Sequence, residues 1–141
     1  MSDVVEGVIS IEELKKLAGE QPVSRLFGFK ILELSPGYAK VSLKMKPEYL
    51  NFNGRVFGGI ITNIADEAFA MSVSTVAHPS VASQVSIYFL APAEAGDELI
   101  AEGRVIKSGK RLGFAEMTVT NQNGTVIAKM SGTYAIIRKK A

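Results

Sequence analysis

The chain has no cysteine and only one histidine, His78. The first absence excludes disulfides, thiolate zinc sites and cysteine nucleophiles together. The second leaves no group of imidazoles with which to hold a metal. A dominant charge is also lacking: 16 basic and 14 acidic side chains leave a net charge of +2. That is too small to argue for nucleic acid, although a local basic cluster can still hold a phosphate. The N-terminus lacks the charged-then-apolar form of a signal peptide, because Ser2, Asp3 and Glu6 interrupt it early. The longest weakly polar segment, residues 60–77, contains Asp66 and Glu67 and is borderline in length for a membrane span. Repeats, low-complexity tracts and linkers are missing too. The expectation is one soluble cytoplasmic domain over residues 1–141, with neither nucleic acid nor membrane as partner. What is present agrees with that. An apolar share of 47% and a charged share of 21% are those of a globular protein, and 141 residues suffice for one sizeable core.

Local patterns give the order of elements. Ser10-Ile-Glu-Glu13 before Leu14 and Leu17 has capping-box spacing, with Gly19 as the expected stop. Pro22 opens a further short turn leading to Gly28, so residues 1–24 read as a helical extension. Residues 29–34 and 38–45 alternate as strands around Ser35-Pro36-Gly37, which predicts a hairpin. Residues 46–56 read as a loop. Residues 60–77 form the long central helix candidate, ended by His78-Pro79. Ile60, Ile61, Ile64, Ala65, Ala68 and Phe69 belong to an apolar surface covering more than half of its circumference. Asn63, Glu67, Ala70 and Ser74 share a narrow arc with Asp66 at its edge. A helix this apolar must be enclosed on most sides. Strand-like segments at 81–90, 98–107, 112–120 and 125–137 follow, the last pair joined by Asn123-Gly124. They predict an antiparallel meander. One helix enclosed by one strongly curved antiparallel sheet buries both apolar faces, and pairing between subunits is one solution for the sheet edges.

The stretch from Asn51 to Asp66 carries the chemistry. It places an amide, the pair Gly58-Gly59 and a carboxylate around the start of that helix. Backbone N–H groups at a helix start are unpaired and positive, so they can polarise a carbonyl or hold an anion. Asp66, two turns on, is read as the one acid that the apolar surroundings tolerate close by. Such an arrangement can attack an acyl group. Asp66 can accept a proton from water or attack the acyl carbon itself. As a purely structural residue it would be solvated or paired with a lysine. The glycines can equally serve a close backbone approach, and Asn51 can be a turn residue.

With those residues in view, the chain resembles the hotdog-fold acyl-CoA thioesterases, in the PaaI-like branch of the 4-hydroxybenzoyl-CoA thioesterase superfamily. The matching pattern is Asn-x-x-Gly-x-x-His-Gly-Gly with an Asp seven residues after the second glycine. Asn51, Gly54, Gly58, Gly59 and Asp66 fall on it. The likeness continues through residues 87–92, 96–99, 107–111 and 124–128. The family's histidine is Phe57 here, so any contact of that imidazole is missing, which bears on substrate choice more than on the reaction.

The resemblance implies an α+β hotdog fold: a long central helix wrapped by a curved antiparallel sheet, with a short N-terminal helical segment. It implies a thioester hydrolase that releases a free acid and coenzyme A, with no metal or prosthetic group. Asp66 would be base or nucleophile, the Gly58 N–H the oxyanion donor, and Asn51 the positioner of carbonyl or water. Gly59 and Phe57 would border the acyl group, and Ser83 on the next strand would assist the carboxylate unless the register puts Ala82 there. Lys107, Lys110 and Arg111 would bind the phosphates of coenzyme A, where Arg forks suit phosphate oxygens; as a hairpin tip they would be solvated, edge-protecting charge. Phe52, Phe57 and Phe89 otherwise read as core or interface, and His78 as a loop residue. Eight residues of helix separate Gly58 from Asp66 by about 12 Å, so one carbonyl cannot touch both. The two groups would therefore belong to different subunits of a homodimer, the minimal active unit, with a tetramer expected. Two rivals remain. A hotdog hydratase needs a histidine paired with an acid, and the lone His78 lies outside the pattern. A non-catalytic hotdog protein that holds acyl-CoA without turning it over is the other, and Phe57 gives it room.

Overall fold

The computed structural model describes residues 9–137. Its first helix, α1, spans Ile11–Glu20 and is capped as its sequence predicts: the Ser10 hydroxyl accepts from Glu13 N–H at 3.1 Å. Gly19 is not the stop. The helix runs one residue further, and Pro22 ends it by holding Gln21 extended (φ −65°, ψ 142°). The same proline opens α2, Pro22–Phe27, which closes on Gly28 in the left-handed region at φ 84°.

The hairpin β1 (Lys30–Ser35) and β2 (Tyr38–Lys44) follows, and then a short 3-10 turn at Pro47–Tyr49. The central helix α3 covers Gly58–Ser74. It starts two residues before the expected Ile60 because both glycines join it. It also ends three residues early. The Thr75 hydroxyl donates to Ser72 C=O at 2.7 Å and accepts from Gly37 N–H at 2.7 Å, tying the helix end to the β1–β2 turn. Strands β3 (Ser80–Phe89), β4 (Glu98–Ser108), β5 (Leu112–Thr120) and β6 (Val126–Ile136) complete the order. No helix among the described residues is long and apolar enough to cross a membrane.

The six strands form one antiparallel sheet in the order β1-β2-β4-β5-β6-β3. This is the hotdog arrangement of α3 against a wrapped sheet. One expectation needs correcting: the strands after α3 are not a plain meander. Only β4, β5 and β6 are, while β3 crosses to the far edge and pairs with β6. The core lies between α3 and the inner sheet face, where Val41, Leu99, Met117 and Ile127 are buried against Ile64 and Phe69. β4 alternates buried Leu99, Ala101 and Gly103 with partly exposed neighbours, the period-two pattern of a half-buried strand.

Helix and sheet backbones come close at Gly103. A Cβ there would lie 2.6 Å from Ala68 C=O and 2.9 Å from the Ser72 hydroxyl. Gly103→Ala therefore has to push α3 off the sheet, and it should destabilise the protein by about 1–3 kcal/mol. Gly19→Ala, whose Cβ would meet nothing within 4 Å, should instead stabilise it by about 0.5–1 kcal/mol in the exposed helix. Urea unfolding of the two variants, with opposite shifts expected, checks this account.

Candidate active site

The N-terminus of α3 is chemically bare. Phe57 occupies the cap position without a side-chain capping bond, and the first turn contains no acidic residue. The amides of Gly58 and Gly59, in the first turn, have no intrahelical acceptor, so they keep their positive potential. Phe57 is 58% exposed and lays its ring over Gly59, where a Cβ would meet the ring at 2.8 Å. Gly58 faces Phe89 instead, whose ring would stand 3.3 Å from an added Cβ. Phe52, Phe57 and Phe89 are all exposed, so of the two structural readings for them the core is excluded.

Asp66 and Gly58 border different clefts. Gly58 lines one of about 370 Å³ with Ile61, Phe89, Leu90 and Ala93. Asp66 lines a small apolar hollow of about 150 Å³ with Phe69, Val73, Val81 and Tyr134. It also borders a wider cleft of about 580 Å³, together with Gly59, Asn63, Glu67, Ser83 and Phe29. Asp66 keeps an exposed edge, yet enough of its carboxyl faces protein for burial to raise its pKa.

Ser83 stands at a β-bulge, where the β3–β6 register shifts between Ala82 and Gln84. Both Ala82 and Ser83 consequently border the Asp66 cleft, so the alternatives of register are not exclusive. The Ser83 hydroxyl lies 2.8 Å from that of Thr133. Asn51 has a plain structural task. Its Oδ1 accepts from Asn53 N–H and Arg55 N–H, and Gly54 follows at φ 76°. Asn121 does the same for Asn123 and Thr125 around Gly124 at φ 80°. The loops Asn51-Phe-Asn-Gly-Arg55 and Asn121-Gln-Asn-Gly-Thr125 are thus built alike. With Oδ1 engaged, Asn51 has its amide N–H groups to offer a ligand. Lys107, Lys110 and Arg111 are exposed and lie outside these clefts. Leu112 and Val81 both pair with Ala135, which sets their hairpin at the Asp66 end of the sheet.

Sequence reading missed Glu67. The helical wheel puts it in the polar arc and names Asp66 as the tolerated acid, but Glu67 is the deeper of the two, at 7% exposure. The α1–α2 extension covers it, and Gln21 Nε2 donates to its Oε2 at 3.0 Å. Burial pushes the Glu67 carboxyl up to about 7; the adjacent Asp66 charge adds to this and the Gln21 bond opposes it. The folded chain then holds a proton on Glu67 from its ordinary value of 4.5 up to about 7, where the unfolded chain does not. Stability must fall as pH rises through that window, on the order of 3 kcal/mol for this group. Glu67→Gln should match the native protein at pH 5 and exceed it at pH 8, read as urea midpoints at the two pH values.

Comparison with known proteins shows the family of this chain. Residues 53–128 match the thioesterase superfamily. The chain is 31% identical over 109 residues to the acyl-coenzyme A thioesterase PaaI of Escherichia coli, covering 77% of this chain and 78% of that one. The solved structure of the E. coli PaaI protein from the phenylacetic acid degradation operon superposes with a TM-score of 0.85 at 27% identity, covering 91% of this chain and 96% of that one. A Streptococcus mutans protein solved bound to acetyl CoA superposes at 0.76 with 26% identity, over 80% of this chain and 91% of that one. The chain therefore belongs to the hotdog-fold thioesterase superfamily, in its PaaI-like branch.

Proposed function

We propose that the protein hydrolyses an acyl-CoA thioester to a free acid and coenzyme A at a site shared by two subunits. One observation carries the shared site. Asp66 borders β3 at Val81–Ala82, whereas Gly58 borders its other end at Phe89–Leu90. β3 is an edge strand whose residues are exposed along most of its length, Val81, Val85, Tyr88 and Phe89 among them. Such an edge invites pairing with a second copy. Antiparallel pairing of β3 with its counterpart sets the Phe89 end of one strand beside the Ala82 end of the other. The Gly58 amide of one subunit then approaches Asp66 of its partner, which the eight residues between them forbid within one chain.

In that shared site Asp66 acts as base toward water or as nucleophile, and the Gly58 N–H holds the developing oxyanion. Asn51 contributes an N–H donor to the carbonyl. Lys107, Lys110 and Arg111, at the Asp66 end of the sheet, meet the phosphates of coenzyme A. A second reading, a protein that holds acyl-CoA without turnover, draws on Phe57, whose ring lies over Gly59 where relatives of this pattern have a histidine.

Thiol release from short, aromatic and long acyl-CoAs separates the readings. Hydrolysis should occur, and Asp66→Asn should lower it by roughly 10²-fold or more. Binding without release by the native protein would support the holding function, and full activity in Asp66→Asn would remove Asp66 from the chemistry. Activity per subunit should also fall on dilution, in step with loss of the dimer measured by light scattering.

A further inference from the structure

We propose that Glu67 is the proton donor of this reaction, delivering its carboxyl proton to the sulfur that leaves as the thioester C–S bond breaks. The proposal rests on the thioesterase reading of Asp66. Glu67 follows Asp66 directly on α3, and both carboxyls border the same cleft of about 580 Å³. Only one of its oxygens is engaged: Gln21 Nε2 holds Oε2, and Oε1 has no hydrogen-bond partner among the described residues. Gln21 is itself fixed. It also donates to the Ser24 hydroxyl at 3.0 Å, and that hydroxyl donates to Ala18 C=O at 2.6 Å. A 7%-exposed carboxyl on the wall of the cleft is thus clamped by one oxygen, and the other is free to serve a ligand.

The charges around Glu67 leave it able to carry a proton. Asp66 beside it on α3 is acidic, and its negative charge favours the protonated form. From α1, Lys15 borders a separate cavity shared with Glu67, without an ion pair to it. The other residues bordering the cleft from α2 (Val23), from just before β1 (Phe29), from β3 (Ala82 to Val85) and from β6 (Met130) carry no charge. Two carboxyls in one cleft whose environments separate their proton affinities can divide acid and base work. Asp66, the more exposed, is the base or nucleophile, and Glu67 is the acid.

The step balances. The C–S bond breaks with its electron pair on sulfur, and the Glu67 proton joins that sulfur to give the free thiol. Water supplies the oxygen that ends on the carboxylic product and the proton that restores Glu67. Nothing is oxidised or reduced.

The test compares two thioesters with the same acyl group, one of coenzyme A and one of 5-thio-2-nitrobenzoate. The aryl thiolate is stable enough to leave without a proton, whereas the alkyl thiolate of coenzyme A is not. Glu67→Gln should lower kcat on the CoA ester by roughly tenfold or more while changing the aryl ester less than about twofold. The fall of kcat above about pH 7 on the CoA ester should disappear in this variant. Gln21→Leu, which removes the hydrogen bond that favours the charged carboxylate, should move that fall to higher pH. Equal losses on the two esters, or an unmoved alkaline limb in both variants, would overturn the role of Glu67 alone. No hydrolysis of either ester by the native protein would overturn the thioesterase reading and this one with it.

Discussion

The seat of α3 on β4 is the contact on which the rest of this protein depends. Gly103 brings strand backbone against helix backbone at Ala68, closer than any side chain would permit. The sheet can then wrap a helix that is apolar on most sides, with Ile64, Ala65 and Ala68 fully buried. A wrapped sheet of six strands leaves two edges, and its order places β3 at one of them. The polar arc of α3 is turned toward that edge and toward the α1–α2 extension. Helix seat, sheet curvature and location of the acids are thus one consequence of a single close approach.

Enclosure also sets the chemistry. A carboxyl near water is an ordinary acid, and burial penalises its charge. α3 presents two successive carboxyls to two degrees of enclosure. Asp66 looks across the open β3 edge, and Glu67 lies under the extension with one oxygen held by Gln21. The high proton affinity of Glu67 thus arises chiefly from enclosure, with the neighbouring Asp66 charge adding to it. The cost appears in stability, since a buried ionised Glu67 opposes folding at neutral pH.

Much of this was legible in the sequence, and the gaps have physical causes. The Ser10 cap, the proline-opened turn, the β1–β2 hairpin and the central helix follow from local rules, and local rules suffice where contacts are local. The place of β3 was not legible, because alternation within a strand does not say which strand it pairs with. Val81 to Leu90 is apolar enough to read as an interior strand, yet it lies exposed at an edge. Glu67 escaped for a related reason: a helical wheel shows which residues share a face, not what covers that face. Here the cover is the extension, 46 residues earlier in the chain at Gln21. Asn51 gives the opposite lesson. Its turn role is written twice, since Asn-x-Asn-Gly recurs at Asn121, where no catalytic pattern surrounds it.

Phe57 shows how a departure from the family pattern can be absorbed. An imidazole at that position would bring a polar edge to the helix start; the phenyl ring brings only area, and it spends that area covering Gly59. A Cβ at position 59 would meet that ring at 2.8 Å, so the exposed ring would have to swing aside to admit one. The ring therefore covers the Gly59 side of the helix start, while the Cα of the neighbouring Gly58 faces Phe89 and Gly58 lines its own cleft. On the proposed reading of Gly58, a substitution at position 57 can then alter which acyl groups fit without removing the oxyanion donor itself.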